Sequence, residues 1–342
     1  VTVHVSEYRG DGADWDEVVA ADPGGTLFQR HGWKQVMERA LDHETLYLQA
    51  ADESGLRGVL PLVRVRSRLF GHYLVSMPFL NYGGPAGDPA AVRALVGHAT
   101  DLAQAEGADL LELRSAVELP GVDLPVSRRK VTVVLDLPDA IDALWDSLRS
   151  KVRSQVRRPR KEGCEVRIGH DQLGAFHQVF TRHMRDLGTP AQGRGFFEEI
   201  LRAFGDDVAV ACVYLEDEPV AAGWTFHWGE EAEITWASSL REHNRIAPNM
   251  LLYWDLMEHA IDRGARVFNF GRCTPGSGTH RFKMQWGGRE IPLWWYQHSA
   301  DAKAAATPSP DDRRYALGVK AWTRLPMPVA NAIGPRLVRL LP

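Results

Sequence analysis

Asp262-Arg263-Gly264-Ala265-Arg266-Val267-Phe268-Asn269-Phe270-Gly271-Arg272-Cys273 is the stretch that decides the fold. Gly264 closes a helix predicted over 250–263. Val267–Phe270, apolar or aromatic but for one Asn, reads as a buried strand. The same order stands earlier in the chain: Ala105-Glu106-Gly107-Ala108, then Leu110-Leu111-Glu112-Leu113-Arg114. Working outward, each copy has the same neighbours. The first is preceded by a hairpin (46–50 and 58–65 about Asp52-Glu53-Ser54-Gly55), a strand over 74–77 and a helix over 90–106. The second is preceded by a hairpin (208–214 and 220–228 about Glu216-Asp217-Glu218-Pro219), a strand over 233–237 and the helix over 250–263. Hairpin, strand, helix, strand, written twice, is a long-period duplication and predicts two α/β domains of one fold with mixed sheets.

The bulk numbers fit that division. A chain of 342 residues exceeds what one core usually supports. A net charge of −4 excludes a protein coated in basic surface, so no DNA partner is expected. Cys164, Cys212 and Cys273 are odd in number and far apart, as in reduced thiols of a cytoplasmic chain. The N-terminus lacks the basic start and apolar run of a signal peptide, and no stretch has the length to span a bilayer. The histidines lack metal-ligand spacing, so no metal is expected.

Candidate chemistry gathers after the second strand. Phe270 opens into Pro275-Gly276-Ser277-Gly278 and then Arg281-Phe282-Lys283-Met284-Gln285-Trp286-Gly287-Gly288. A strand that ends in a glycine-rich loop carrying cations is where α/β proteins place ligands. Lys283, held between Phe282 and Trp286, suits stabilisation of a developing oxyanion. Cys273 with His280 as its base is a weaker idea than a small buried thiol at a strand end. The loop Pro78-Phe79-Leu80-Asn81-Tyr82-Gly83-Gly84 offers Asn81 and Tyr82 as ligand-binding groups. Asn249, after Pro248, either caps its helix or binds ligand. Glu242, His243 and Asp255 are candidate bases, none standing out.

Between the halves, one basic helix is predicted over 141–161. Ile141, Leu144, Trp145, Leu148, Val152 and Val156 form its apolar stripe. Arg149, Lys151, Arg153, Arg157, Arg158, Arg160 and Lys161 place seven cations in thirteen residues. Dipole compensation explains two or three of them; the rest repel one another unless an anion is bound. Lys151, Arg153, Arg157 and Arg158 are therefore expected to bind substrate phosphate.

These stretches together resemble the FemAB-like family of acyl and peptidyl transferases, which are tandem GNAT proteins. The nearer likeness is to the branch encoded with exosortase and PEP-CTERM systems. The resemblance rests on Leu60-Pro61-Leu62-Val63-Arg64-Val65-Arg66-Ser67-Arg68-Leu69-Phe70-Gly71, on Val75-Ser76-Met77-Pro78-Phe79-Leu80-Asn81-Tyr82-Gly83-Gly84, on Lys151-Val152-Arg153-Ser154-Gln155-Val156-Arg157-Arg158, and on Phe270-Gly271-Arg272 with Gly278, Phe282, Lys283, Trp286 and Gly287. It implies a GNAT-like domain over 1–133, a second over 134–300 that includes the basic helix, and a helical tail over 301–342. It further implies transfer of an acyl or aminoacyl group to an amine or hydroxyl of an envelope, peptidoglycan or exopolysaccharide precursor. Lys283 and Arg272 would be catalytic. Phe282, Arg281, Asn81, Tyr82, Asn249 and the helix cations would bind substrate. No cofactor would be held permanently; acyl-CoA or aminoacyl-tRNA would serve as co-substrate. Residues 233–249 lack the Gly-rich turn that cradles coenzyme A, and no long helical arm for tRNA stands between 131 and 205, so neither donor is selected. The alternatives are an acyl-CoA-dependent enzyme making a small N-acyl product and an inactive scaffold that binds an anion. The expected location is cytoplasmic, with the tail's cations and apolar residues either packed on the domain or in peripheral contact with the inner face of the membrane.

Overall fold

A computed structural model describes residues 3–68, 70–299 and 316–341. The first half runs β1 (His4–Glu7), α1 (Ala13–Ala21), α2 (Trp33–Leu41), β2 (Glu44–Asp52), β3 (Gly55–Ser67), β4 (Gly71–Val75), β5 (Ala86–Gly87), α3 (Pro89–Ala105), β6 (Leu110–Ser115), β7 (Val126–Ser127) and β8 (Val131–Asp136). The second runs α4 (Ile141–Ser147), α5 (Ser150–Lys161), β9 (Cys164–Ile168), α6 (Leu173–Asp186), α7 (Arg194–Phe204), β10 (Val208–Leu215), β11 (Glu218–Trp228), β12 (Glu231–Ser239), α8 (Pro248–Asp262), β13 (Val267–Cys273), α9 (Gly278–Met284), β14 (Arg289–Pro292) and β15 (Trp294–His298), then α10 (Ala316–Trp322) and α11 (Met327–Val338).

The predicted α/β class with two mixed sheets is what the chain forms. Antiparallel β2-β3-β4 continues into β6, parallel to β4; antiparallel β10-β11-β12 continues into β13, parallel to β12. The registers coincide, with Val75 opposite Glu112 and Glu233 opposite Asn269. Local chemistry sets the crossover helices. In α3, Asp88 accepts from the N–H groups of Ala90 (3.0 Å) and Ala91 (2.9 Å), Pro89 occupies the first turn, and Gly107 at φ 62° lets the chain leave.

The repeat does not show that the halves exchange strands. β8 leaves the first half and pairs with β13, and β15 returns from the second half to pair with β6. The sheet orders become β1-β2-β3-β4-β6-β15-β7, with β5 on β3, and β14-β8-β13-β12-β11-β10-β9. Each sheet is completed by the other half, so neither edge at β6 or β13 is left open.

A shared core locks the arrangement. Trp33 of α2 meets Phe204 of α7 (centroids 5.0 Å apart) and Phe226 of β11 (5.7 Å), and Phe28 meets Phe226 edge-on at 5.4 Å. Burying each such ring is worth about 1.5–3 kcal/mol, so the halves stabilise one another. On the outer faces, α3 covers the first sheet and α4, α5 and α8 cover the second.

The single helix expected over 141–161 is two helices. Leu148 and Arg149 are extended (ψ 142° and 146°), and the Ser147 hydroxyl donates to the Leu144 carbonyl. The break keeps Leu144, Leu148, Val152 and Val156 all buried, so the apolar stripe survives it and periodicity cannot see it. Pro159 does not stop α5, which continues to Lys161. Among the described residues no helix is long and apolar enough to cross a membrane.

Candidate active site

β12 and β13 pair only across Glu231–Glu233 and Val267–Asn269, then part. Gly271 permits this bend. Its φ is +69°, and a Cβ there would lie 2.7 Å from the Ile234 carbonyl oxygen. Beyond the parting lies a cavity of about 270 Å³, lined among others by His183, Ser238, Ser239, Asn249, Tyr253 and Phe282.

Several of its groups are oriented and unspent. The Ser239 Oγ is buried with no partner among the described residues. The His183 Nδ1 lies 3.1 Å from the Ser239 carbonyl, which can only accept, so Nδ1 carries the proton and Nε2 is left as acceptor. Burial holds the His183 pKa below its ordinary value, so the ring is neutral near pH 7. Asn249 does not cap α8: the cap position is Ala247, in the left-handed region at φ 57°, and the Asn249 side chain lines the cavity instead.

Lys283 is buried, with 4% of its surface exposed. Its Nζ donates to the carbonyls of Gly271 (2.7 Å) and Arg272 (2.9 Å), just past the last residue of β13 that pairs with β12. Its third N–H has no hydrogen-bond partner among the described residues. Burial draws its pKa down to about 8.

A second buried polar cluster joins the halves. Asn269 donates to the Tyr82 hydroxyl (3.0 Å), to Glu231 (2.9 Å) and to Glu233 (3.2 Å), while Asn81 donates to the other Glu233 oxygen. Burial first, and then the Glu231 charge, push the Glu233 pKa up to about 8.

The residues expected from sequence thus fall into four places. Phe282 and Asn249 share the cavity; Lys283, next to Phe282 on α9, is buried against the Gly271 and Arg272 carbonyls and is not among the lining residues. Asn81 and Tyr82 are buried and already hydrogen-bonded inside the protein. Arg272 turns its half-buried guanidinium to the first half, 5.2 Å from the Trp295 ring that Arg114 also covers at 4.6 Å, and burial lowers its pKa to about 10. Arg281 is exposed and donates to the Gly276 carbonyl at 2.6 Å. On α5, Lys151 is exposed and Arg153 lies 3.5 Å from the Trp145 carbonyl. Arg157 sits 4.8 Å over the Trp145 ring, and Arg158 donates to the Arg245 carbonyl at 2.9 Å, on the loop that leads into Asn249.

None of the three expected bases lines the cavity. Glu242 is ion-paired with Arg182, Asp255 with Arg160 at 2.8 Å, and His243 lies in the turn before α8. The Cys273 thiol is buried and its pKa raised, and His280 is engaged with Glu290 at 2.7 Å. Sequence reasoning missed His183, which shares α6 with His177 at i, i+6, a spacing that carries no signal. It also missed Glu231 and Glu233, whose i, i+2 spacing puts both carboxylates on one face of β12.

Residues 146–284 match a family model described as an acetyltransferase (GNAT) domain. Among curated proteins, the chain is 24% identical over 148 residues to the UDP-N-acetylmuramoylpentapeptide-lysine N(6)-alanyltransferase of Weissella viridescens. That match covers 42% of this chain and 44% of the relative, so it spans less than half the relative's length. Among solved structures, FemX superposes with a TM-score of 0.64 at 16% identity, covering 85% of this chain and 97% of FemX. The C-terminal domain of a putative lysylphosphatidylglycerol synthetase from Agrobacterium fabrum gives 0.57 at 15% identity, with 85% and 92% covered. A tandem GNAT protein from the clavulanic acid biosynthesis pathway gives 0.55 at 13%, with 90% and 100% covered. The architecture is therefore that of the tandem GNAT structures such as FemX, two mixed α/β sheets, with residues 146–284 matching the GNAT domain model.

Proposed function

We propose that the chain is an acyltransferase that moves an acyl or aminoacyl group onto an amine or hydroxyl of a phosphate-bearing envelope precursor in the cytoplasm. The observation that carries this reading is the cavity at the parting of β12 and β13, lined by the base-ready His183 imidazole and by Phe282, whose neighbour on α9 is the buried Lys283 ammonium. The acceptor attacks the donor's carbonyl carbon, and the His183 Nε2 takes the proton it loses. The electron pair displaced from the C=O collects on oxygen as the tetrahedral intermediate forms. The free N–H of Lys283 stabilises that oxyanion, and the leaving alkoxide or thiolate departs as the carbonyl re-forms. Phe282, Asn249 and the unspent Ser239 hydroxyl orient the donor. The exposed face of α5, with Lys151, Arg153, Arg157 and Arg158, receives phosphate, because its positive charge is not offset by neighbouring carboxylates.

Support for an aminoacyl donor comes from the alanyltransferase relative, and support for acyl-CoA from the acetyltransferase family model. The acceptor in this reading is a peptidoglycan or exopolysaccharide precursor. The test is direct. Purified protein is offered radiolabelled aminoacyl-tRNA or acyl-CoA together with UDP-linked or lipid-linked sugar precursors. Transfer to a precursor, lost in Lys283→Ala, is expected. Absence of transfer from both donors, with an anionic ligand still raising the melting temperature, would leave the inactive anion-binding scaffold.

A further inference from the structure

The helices α10 and α11 are fastened by one face and leave another bare. α11 buries Ala330, Gly334 and Val338, a four-residue repeat that makes one narrow stripe. A Cβ on Gly334 would lie 3.2 Å from the Ala191 carbonyl oxygen, so the helix backbone sits close against the segment after α6. Arg185 of α6 donates to the Leu325 carbonyl at 2.9 Å, and Arg339 reaches Asp42 at 3.5 Å. The pair is therefore a fixed part of the surface.

The outward face is apolar and basic. Val329 and Ile333, i and i+4 on α11, are each 39% exposed, and Leu317 on α10 is 82% exposed. Leu187, 47% exposed, stands beside Gly188, which packs on Val319 of α10. Six large apolar side chains are exposed among the described residues, and four of them are in this corner. The described residues 316–341 hold Lys320, Arg324, Arg336 and Arg339 and not one Asp or Glu, in a chain whose net charge is −4. Lys320, Arg324, Arg336 and Arg339 are exposed. Two acidic groups on neighbouring elements are already engaged, Asp186 with Arg185 at 2.6 Å and Asp42 with Arg339. Aliphatic side chains on the two helices that carry Lys320 and Arg336 and are joined through Arg324, cations with no carboxylate partner among the described residues, match the boundary of an anionic bilayer, where acyl chains lie beneath phosphate.

We propose that α10, α11 and Leu187 form a docking face for an anionic lipid surface, holding the protein on the membrane without spanning it. This does not depend on the transferase reading. The test is co-sedimentation of the full chain with phosphatidylcholine vesicles, with and without phosphatidylglycerol. Binding to the anionic vesicles alone is expected, weakening as salt rises. Val329→Asp with Ile333→Asp should lower partitioning at least about tenfold, since buried apolar contact and charge attraction add. Each side chain is 39% exposed and neither belongs to the buried stripe of α11, so the variant should still fold, with a melting temperature lowered only modestly. Lys320→Ser with Arg324→Ser and Arg336→Ser should lower partitioning and flatten its salt dependence. Equal binding to neutral vesicles, no binding to either, or wild-type binding by both variants overturns the proposal. So does a concentration-dependent dimer that Ile333→Asp dissolves, which would assign the face to a second copy.

Discussion

Asn269 and Glu112 occupy the same register position in their two halves, and each is hydrogen-bonded to the strand that crosses over from the other half. Asn269 accepts from Thr132 on β8; Glu112 accepts from Gln297 on β15 at 2.8 Å. One polar residue in each apolar strand thus pins an exchanged strand. Asn269→Ala would strip Glu233, Tyr82, Thr132 and the Gly271 N–H of a buried partner. At about 1–3 kcal/mol for each group left unsatisfied, a loss of at least about 3 kcal/mol is expected by denaturant titration. Glu112→Ala, which leaves the buried Arg114 without its carboxylate, should cost about 3–5 kcal/mol. A change under about 1 kcal/mol in both would show that the pins are dispensable.

Lys283→Ala should lower the turnover number about a hundredfold or more while the apparent affinity for donor changes little. Lys283→Arg should rescue only in part, because a planar fork cannot replace a point charge bonded to two carbonyls. Normal steady-state turnover in the alanine variant would end the assignment.

His183→Gln should remove the acidic limb of the kcat/KM profile. Its burial lowers the pKa below 6.5, so wild-type activity should fall as pH drops below that lowered value, where the ring gains a proton and ceases to accept one. An unchanged pH–rate profile in the variant would place the base elsewhere.

Glu233 sets a pH dependence of stability. Its folded pKa of about 8 lies above the unfolded carboxylate value, so between the two the folded state holds a proton that the unfolded chain has released. Stability should therefore fall as pH rises from about 5 to 8, and Glu233→Gln should flatten that slope. Melting curves across the range would show it; a wild-type midpoint that rises over this window would contradict it.

Arg157→Ala with Arg158→Ala should raise the Michaelis constant for a phosphate-bearing substrate and weaken its salt dependence. Each charge-assisted hydrogen bond to a desolvated phosphate should be worth about 1.5–3 kcal/mol of binding. Both side chains are exposed, so folding should change little. Unaltered kinetics with a lower melting temperature would make the stacking on Trp145 and the bond to Arg245 their whole role.

The duplication was legible in the sequence because it is local. Gly107 and Gly264 end equivalent helices, and the apolar runs after them can only be buried strands. Phe282 and Asn249 stood out by their neighbours, and the structure brings them to one cavity. The strand exchange was not legible, because a strand's own residues say that it is buried and not which sheet buries it; β8 and β15 satisfy the same pattern in either half. Asn81 and Tyr82 looked like groups on an open glycine loop. Only the packing of that loop against β12 and β13 buries them, since Asn81's partner Glu233 lies 152 residues away and Tyr82's partner Asn269 lies 187 away. His183 has no signal in the chain at all. The direction of its Nδ1 toward the Ser239 carbonyl, and hence the free Nε2, comes entirely from α6 lying beside the end of β12.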